Sequence, residues 1–268
     1  MQYATILVDQ ADGIATLTMN RPDKFNAMSQ EMVFEMIDAC ERFSRDDTVR
    51  VVVFTGAGRA FSAGGDIDWL RRTAEERRAG RHAVDAMRPE DSTRFCLALR
   101  GIPQPTIASI NGVAAGGGIT AALNCDIRIA AEEASISFPF VPAVAIAPEL
   151  GSTYLLPRLV GIAKACELML TGGPVSGTEA KSIRLVNEAV PLAELQTTTT
   201  AMARSIARAS PHAVRLSKAG LYQGMAADLY NQLMWEEEAL RATFGSEDNE
   251  EAIRAFLEKR TPVFRSRR

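Results

Sequence analysis

Two glycine-rich loops are the places where backbone groups of this chain are best suited to chemistry. The first loop, Gly56 to Asp66, reads GAGRAFSAGGD, and the second, Asn111 to Gly118, reads NGVAAGGG. Glycines let main-chain N–H groups approach a ligand closely. A helix that starts after such a loop adds unsatisfied donors and the positive end of its dipole. This combination suits the stabilisation of negative charge developing on an oxygen.

Three familiar glycine motifs do not fit these loops. Gly56 and Gly58 are followed by Phe61 where the dinucleotide fingerprint needs its third glycine. Neither loop continues into the Lys and Ser or Thr of a P-loop. Ser62 lies two residues after Ala60, where a nucleophile elbow requires glycine. The sequence therefore argues against NAD binding, nucleotide hydrolysis and a serine hydrolase.

The composition excludes several classes of partner. Hydrophobic residues make up 47% and charged residues 24% of the chain, as in ordinary globular proteins. A formal net charge of -3 predicts no general attraction to nucleic acid or to an anionic membrane. The start of the chain lacks the features of a signal peptide, and no stretch is apolar for long enough to cross a bilayer. We therefore expect neither nucleic acid nor a membrane as a partner.

The cysteines and histidines indicate the compartment and argue against a metal site. Cys40, Cys96, Cys125 and Cys166 lie far apart without a Cys-x-x-Cys pair, and the chain has two histidines. This pattern is typical of neither a disulfide framework nor a zinc site. We expect a protein of the reducing cytoplasm.

Buried strands must position the two glycine loops. Two β-rich runs around Asp12-Gly13 predict an opening hairpin, and helical spacing after Ser29 predicts an amphipathic helix over residues 30–43. Short, apolar, β-branched runs predict further buried strands, and glycine loops follow the first two. The hairpin strands and the three buried strands are Thr5–Asp9, Ile14–Met19, Arg50–Thr55, Thr106–Ile110 and Asp126–Ala130. Strands that alternate with helices predict an α/β core.

The pattern changes near residue 195, after which only helices are predicted. Ser210-Pro211 supplies an N-cap and a proline at the first helical position of one of them. We predict a core over residues 1–195 and a helical region over residues 196–268, which is either a cap on the core or an oligomerisation module. The four predicted helices are Thr197–Arg208, Pro211–Tyr222, Ala226–Thr243 and Glu247–Lys259.

Three segments together resemble the crotonase (enoyl-CoA hydratase/isomerase) superfamily over almost the whole chain. They are Asn20–Met28, with the sequence NRPDKFNAM, Ala60–Ile67 and Asn111–Gly118. Similar order and spacing extend to Leu170–Gly172, Ala180-Lys181 and Phe256–Arg260. The resemblance implies the ClpP/crotonase fold, a spiral of ββα units, with a C-terminal helical region that assembles a trimer or a dimer of trimers.

The resemblance also implies an acyl-CoA thioester as the substrate. The N–H groups of Ala63 and Gly117 would form an oxyanion hole for its enolate, where losing one donor costs about 3 to 4 kcal/mol. No metal or redox cofactor is implied, because CoA is part of the substrate. The residues that would border CoA are Lys24, Phe25, Asn26, Gly64, Gly65, Asp66 and Ile67, with Lys259 and Phe264 from the tail.

The chain departs from hydratases of that family at both of their catalytic glutamates. Thr120 stands at the first position and Phe140 at the second, where both would still line the substrate. Neither side chain can act as a general base near neutral pH. The segment from Ile146 to Leu159, IAPELGSTYLLPRL, resembles instead the isomerases that carry their acid there, which makes Glu149 the candidate base.

Glu149 lies in an apolar segment that would raise its pKa, with Phe140, Val141, Val144 and Ile146 nearby in sequence. The alternative role is to complement the dipole of a helix that begins near Gly151. We predict an enoyl-CoA isomerase with Glu149 as base. A hydratase or acyl-CoA hydrolase of the same family and a non-catalytic acyl-CoA binder remain alternatives.

Other conspicuous residues are given structural interpretations. Glu75 and Glu76 interrupt a basic cluster, which favours a solvated helix face over a phosphate site. Trp69 and Phe95 are predicted to be core residues, and His82 is assigned no role. The basic cluster comprises Arg71, Arg72, Arg77, Arg78 and Arg81.

Overall fold

Two β-sheets run through the computed structural model, which describes residues 3–80 and 89–264. The strands are β1 (Ile6–Ala11), β2 (Ile14–Met19), β3 (Val51–Gly56), β4 (Ala60–Ser62), β5 (Thr106–Ile110), β6 (Val113–Ala115), β7 (Ile127–Ala131), β8 (Ser135–Ser137), β9 (Val175–Ser176) and β10 (Glu188–Val190). The helices are α1 (Gln30–Arg45), α2 (Ile67–Arg78), α3 (Pro89–Arg100), α4 (Gly117–Leu123), α5 (Ser152–Val160), α6 (Ile162–Thr171), α7 (Gly177–Ser182), α8 (Leu192–Ala207), α9 (Pro211–Gly224), α10 (Leu229–Thr243) and α11 (Glu247–Leu257).

The strand order shows a repeated unit. The larger sheet has the order β1-β2-β3-β5-β7-β10 and the smaller one β4-β6-β8-β9. Each of β3, β5 and β7 joins the larger sheet, and the strand that follows it joins the smaller sheet. A helix comes next in the units β3–β4–α2 and β5–β6–α4, whereas a π-helical turn at Phe140–Val144 follows β8. The predicted α/β spiral of ββα units is confirmed.

The local patterns that predicted the elements correspond to burial in the structure. All five residues of β5 are buried, and β2 alternates between buried and half-buried positions. Met32, Met36 and Cys40 form part of the buried face of α1, whose N-cap Ser29 accepts a hydrogen bond from Met32 N. The hairpin, the three buried strands and α1 are thus confirmed, with ends that differ by up to two residues. Trp69 and Phe95 are core residues, as predicted.

The predicted boundary at residue 195 lies within a helix. That helix, α8, packs against the larger sheet through β2, β3, β5, β7 and β10, as a cap on the core would. The next helix, α9, bonds to the core through Lys218 and Asp126 at 2.7 Å, and its Gly220 lies directly against the ring of Trp235 on α10. The helical pattern of α8 alone does not reveal which surface it covers.

Candidate active site

The two glycine loops meet at one edge of the smaller sheet. Because β4 and β6 are parallel neighbours, the loops that follow them start side by side. A Cβ atom added to Gly64 would lie 3.1 Å from Gly117 N, and one added to Gly118 would lie 2.3 Å from Ser62 O. Side chains at these positions would push the loops apart, so the close approach requires glycine.

The structure does not support Ala63 as an oxyanion donor. Its N–H already donates to Phe25 O at 2.9 Å, and the N–H of Gly64 donates to Ser62 Oγ at 3.2 Å. Among residues 3–80 and 89–264, by contrast, no acceptor is found for the N–H groups of Gly65 and Gly117. Both glycines line the same cavity. The pair of free donors is therefore Gly65 with Gly117, which corrects the assignment of Ala63.

Asn26 is a structural residue and does not border the cavity. Its side chain is fully buried, and its Nδ2 donates to Ala57 O at 2.9 Å and to Ala60 O at 2.8 Å. Its backbone and that of Phe25 both have positive φ angles, a conformation rare outside glycine. The expectation that Asn26 borders CoA is corrected, because the Asn26 side chain is hydrogen-bonded to the backbone of the first glycine loop.

The cavity beside the free donors has a volume of about 440 Å³. Five of the residues expected at CoA line it, namely Lys24, Phe25, Gly65, Asp66 and Ile67. Burial opposes ionisation of Asp66, but hydrogen bonds from Arg21 and from the first turn of α2 hold its pKa below the ordinary value. Asp66 thus serves as the N-cap of α2 as well as part of the cavity wall.

Thr120 and Phe140, which replace the hydratase glutamates, differ in their placement. Phe140 is buried and lines the cavity. Thr120 is fully buried, and its hydroxyl donates to Gly116 O at 2.9 Å within α4. The expectation that Thr120 touches substrate is therefore corrected, because its only hydrogen-bonding group faces the helix backbone.

The C-terminal candidates lie away from this cavity within a single chain. Lys259 is exposed just after α11, and Phe264 O accepts a hydrogen bond from Arg50 at 2.8 Å. Neither lines the cavity or the larger chamber described below.

Glu149 lies next to Gly117 in a partly apolar wall. A Cβ added to Gly117 would lie 3.7 Å from Glu149 Oε1. Phe140, Val144 and Ile146 line the same cavity, whereas Val141 is exposed and does not. Burial raises the pKa of the Glu149 carboxyl, and a hydrogen bond from Ser92 opposes that rise. The geometry thus places a carboxyl group of raised pKa beside a free amide donor.

The amino-acid sequence of this chain matches the sequence model of one known family. That family is described as enoyl-CoA hydratase/isomerase, and the match covers residues 9–267. The chain belongs to the enoyl-CoA hydratase/isomerase family. The resemblance to the crotonase superfamily is thereby confirmed.

Individual members of the enoyl-CoA hydratase/isomerase family are similar over nearly their whole length. The short-chain-enoyl-CoA hydratase of Clostridium acetobutylicum is 35% identical over 263 residues, covering 97% of each chain. Crotonyl-CoA hydratase of Syntrophomonas wolfei is 34% identical over 270 residues, covering 100% of each chain. The crystal structure of enoyl-CoA hydratase from Bacillus anthracis has a TM-score of 0.90 and 35% identity, covering 97% of this chain and 99% of that one.

A second, larger chamber of about 930 Å³ adjoins the first in this enoyl-CoA hydratase/isomerase family member. One face of α2 lines it, from Ile67 through Leu70 and Ala74 to Arg77. The rise along the helix from Ile67 to Arg77 is about 15 Å. Ile67 and Glu149 line both spaces, so the larger chamber begins where the first one ends.

The basic cluster on α2 is exposed where the structure describes it, and two of its members, Arg71 and Arg77, also line the larger chamber. Arg71, Arg72, Arg77 and Arg78 are exposed, and Arg71 pairs with Glu75 at 3.6 Å. Arg81 and His82 lie outside the described residues.

α4 connects the free donor to the segment that carries Glu149. Asn124, which follows α4, is buried, and its Nδ2 donates to Thr120 O and to Leu150 O, both at 2.9 Å. Leu150 has a positive φ of 54°, so the turn after Glu149 needs such support. Sequence reasoning missed both Asn124 and Ser92, which carry no local motif.

All four cysteines are free thiols. Within the described ranges, no cluster of three or more His, Cys, Asp or Glu side chains could hold a metal ion. Those ranges also contain no helix both long and apolar enough to cross a membrane.

Proposed function

We propose that this protein is an enoyl-CoA isomerase in which Glu149 moves a proton between carbons α and γ of a 3-enoyl-CoA thioester. The proposal rests on the position of Glu149. Of the acidic side chains in the described parts of the chain, Glu149 alone lines both cavities. It therefore lies at the junction where a thioester held in the first cavity would send its acyl chain into the second.

The free amide donors supply the second part of the chemistry. Removing a proton from carbon α places negative charge on the thioester oxygen, and N–H groups of Gly65 and Gly117 would stabilise that charge without rearranging. Glu149, beside Gly117, would receive the proton and return it to carbon γ. A single carboxyl group suffices because isomerisation neither adds nor removes water.

The environment of Glu149 suits a group that must both accept and release a proton. Burial raises its pKa toward the range in which a carboxylate is an effective general base near neutral pH. Thr120 and Phe140, at the two hydratase positions, cannot exchange a proton in this range. The raised pKa of Glu149 and the lack of a carboxyl group at Thr120 and at Phe140 support isomerisation over hydration.

Hydration of a 2-enoyl-CoA is the second candidate, because the relatives in Clostridium acetobutylicum and Syntrophomonas wolfei are named as hydratases. It would require Glu149 to activate water without a second carboxylate from Thr120 or Phe140. The two candidates differ in product and can be assayed side by side.

The test replaces Glu149 with glutamine, which keeps size and hydrogen bonding but cannot carry the proton. Glu149→Gln should lower the rate of 3-enoyl-CoA isomerisation by roughly a hundredfold to ten-thousandfold while acyl-CoA binding, measured by calorimetry, persists. Thr120→Ala is the matched control and should cost far less. Fast hydration of 2-enoyl-CoA by the parent, with every activity intact in Glu149→Gln, would overturn the assignment.

A further inference from the structure

Ser92 on α3 is hydrogen-bonded to Glu149 although the two residues are 57 positions apart. Its Oγ donates to Glu149 Oε2 at 2.7 Å, and its side chain is largely buried. Ser92, Glu149 and Gly65 also line a small common cavity. Building on the proposed function, we propose that Ser92 is a positioning residue that fixes the Glu149 carboxyl group so that Oε1 is the oxygen that exchanges the proton.

The two carboxyl oxygens of Glu149 have different surroundings. The terminal torsion of a glutamate is broad and roughly two-fold, so a free carboxyl group would present either oxygen. The Ser92 hydroxyl holds Oε2 on the side of α3. Oε1 is then the oxygen next to Gly117, 3.7 Å from the position of a Cβ there.

The proton balance follows directly from this arrangement. The C–H bond at carbon α breaks as an O–H bond forms at Oε1, and the electron pair moves into the dienolate. The O–H bond at Oε1 then breaks as a C–H bond forms at carbon γ. Oε2 accepts the hydrogen bond from Ser92 throughout, so the serine proton is never transferred.

The same hydrogen bond sets the charge state of Glu149. A hydroxyl that donates to a carboxylate favours the anion and thus opposes the effect of burial. Besides Glu149, the titratable side chains that line the larger chamber and the small cavity in the described parts of the chain are Arg71, Arg77, Asp91 and Cys96. Those on the side of the first cavity are Asp23, Lys24, Asp66 and Asp68. A substitution at Ser92 leaves all of these groups in the chain. A difference in the Glu149 pKa between the parent and a Ser92 variant is therefore assigned to the loss of the Ser92 hydroxyl.

The experiment measures the Glu149 pKa directly by infrared difference spectroscopy, with Glu149→Gln as the blank. Ser92→Ala should raise that pKa by about one pH unit, the shift expected for losing one hydrogen bond to a charged group. The acid limb of the isomerase pH profile should move to higher pH by the same amount. Above that limb kcat should still be lower, roughly tenfold to a hundredfold, with KM little changed, because the carboxylate is no longer held in position.

Two variants complete the test. Ser92→Thr keeps the hydroxyl and should return the pKa and kcat toward the parent values. Thr93→Ala removes the next hydroxyl on the same helix and should leave the Glu149 pKa where it is in the parent. Equal Glu149 pKa values in the parent and Ser92→Ala would overturn the proposal. Since this titration needs no turnover, a parent without isomerase activity would remove the proposed function and still leave the anchoring of Oε2 by Ser92 measurable.

Discussion

The proposed role of Glu149 as a general base conflicts with its contribution to the stability of the fold. A general base must be ionised, yet burial at this position favours the protonated carboxyl and raises its pKa. Between the unfolded and the folded pKa, the folded state therefore binds more protons than the unfolded state. The free energy of unfolding accordingly falls as the pH rises through that interval.

Because an ionised Glu149 is costly to bury, Glu149→Gln is expected to be more stable than the parent. The neutral amide avoids the cost of burying a charge and still accepts the hydrogen bond from Ser92. At neutral pH the variant should therefore unfold at a higher temperature than the parent, although it has lost activity. The difference should shrink as the pH falls below the ordinary carboxyl range near pH 4. Calorimetric melts at several pH values measure this, and a variant less stable than the parent at pH 7 would contradict it.

At the scale of elements, α4 performs two tasks at its opposite ends. Its first residue, Gly117, presents the free N–H, and the residue after its last turn, Asn124, holds the segment that follows Glu149. Because both are tied to one short, fully buried helix, the separation between oxyanion donor and base is fixed by the rigidity of that helix.

Asn124→Ala should therefore lower both stability and turnover. It leaves Leu150 O without its amide donor, which should cost about 1 to 3 kcal/mol of unfolding free energy. The freed turn should also displace Glu149, and misplacement by about 1 Å can cost on the order of a hundredfold in rate. Asn231→Ala, which removes an exposed hydrogen bond from the Asn231 side chain on α10 to Asp228, is the control. Denaturant unfolding and isomerase assays on the two variants test this, and parent-like turnover in Asn124→Ala would exclude the coupling.

At the scale of the whole molecule, α9, α10 and α11 leave large apolar side chains exposed on one chain. These include Leu221, Leu229, Tyr230, Leu233, Phe244, Phe256 and Leu257. Apolar surface of this extent is typical of an interface that another chain covers. We propose that these helices assemble the protein as a trimer or a dimer of trimers, in which Lys259 and Phe264 would approach a CoA site.

Light scattering at micromolar concentration should accordingly give a mass of three or six times the 29.0 kDa of one chain. Leu221→Glu places a charge on an exposed position of α9 and should shift the protein toward the monomer without unfolding it. Ile162→Glu, at an exposed position of α6, should leave the mass unchanged. A monomeric parent would rule out the proposed assembly.

The sequence by itself determined the parts of this protein that depend on local pattern. The β-rich runs around Asp12-Gly13 and the short, apolar, β-branched runs predicted β1, β2, β3, β5 and β7, and helical spacing after Ser29 predicted α1. The two glycine loops were recognisable from their composition. Two backbones can approach each other as closely as they do at Gly64 and Gly118 only where side chains are absent. The motifs together predicted the family, and the resemblance of the segment Ile146–Leu159 to family isomerases singled out Glu149.

Only the tertiary structure decided which groups are free and which are already paired. Ala63 and Gly65 both lie in the first glycine loop, and the sequence does not show which of their N–H groups is free. In the structure the N–H of Ala63 donates to Phe25 O, whereas no acceptor is found for the N–H of Gly65 among the described residues. The burial of Asn26 and the hydrogen bond from Ser92 to Glu149 likewise depend on contacts between distant segments. The physical reason is that a local sequence limits the conformation of its own backbone, whereas hydrogen-bond partners and burial are set by whatever the fold brings alongside.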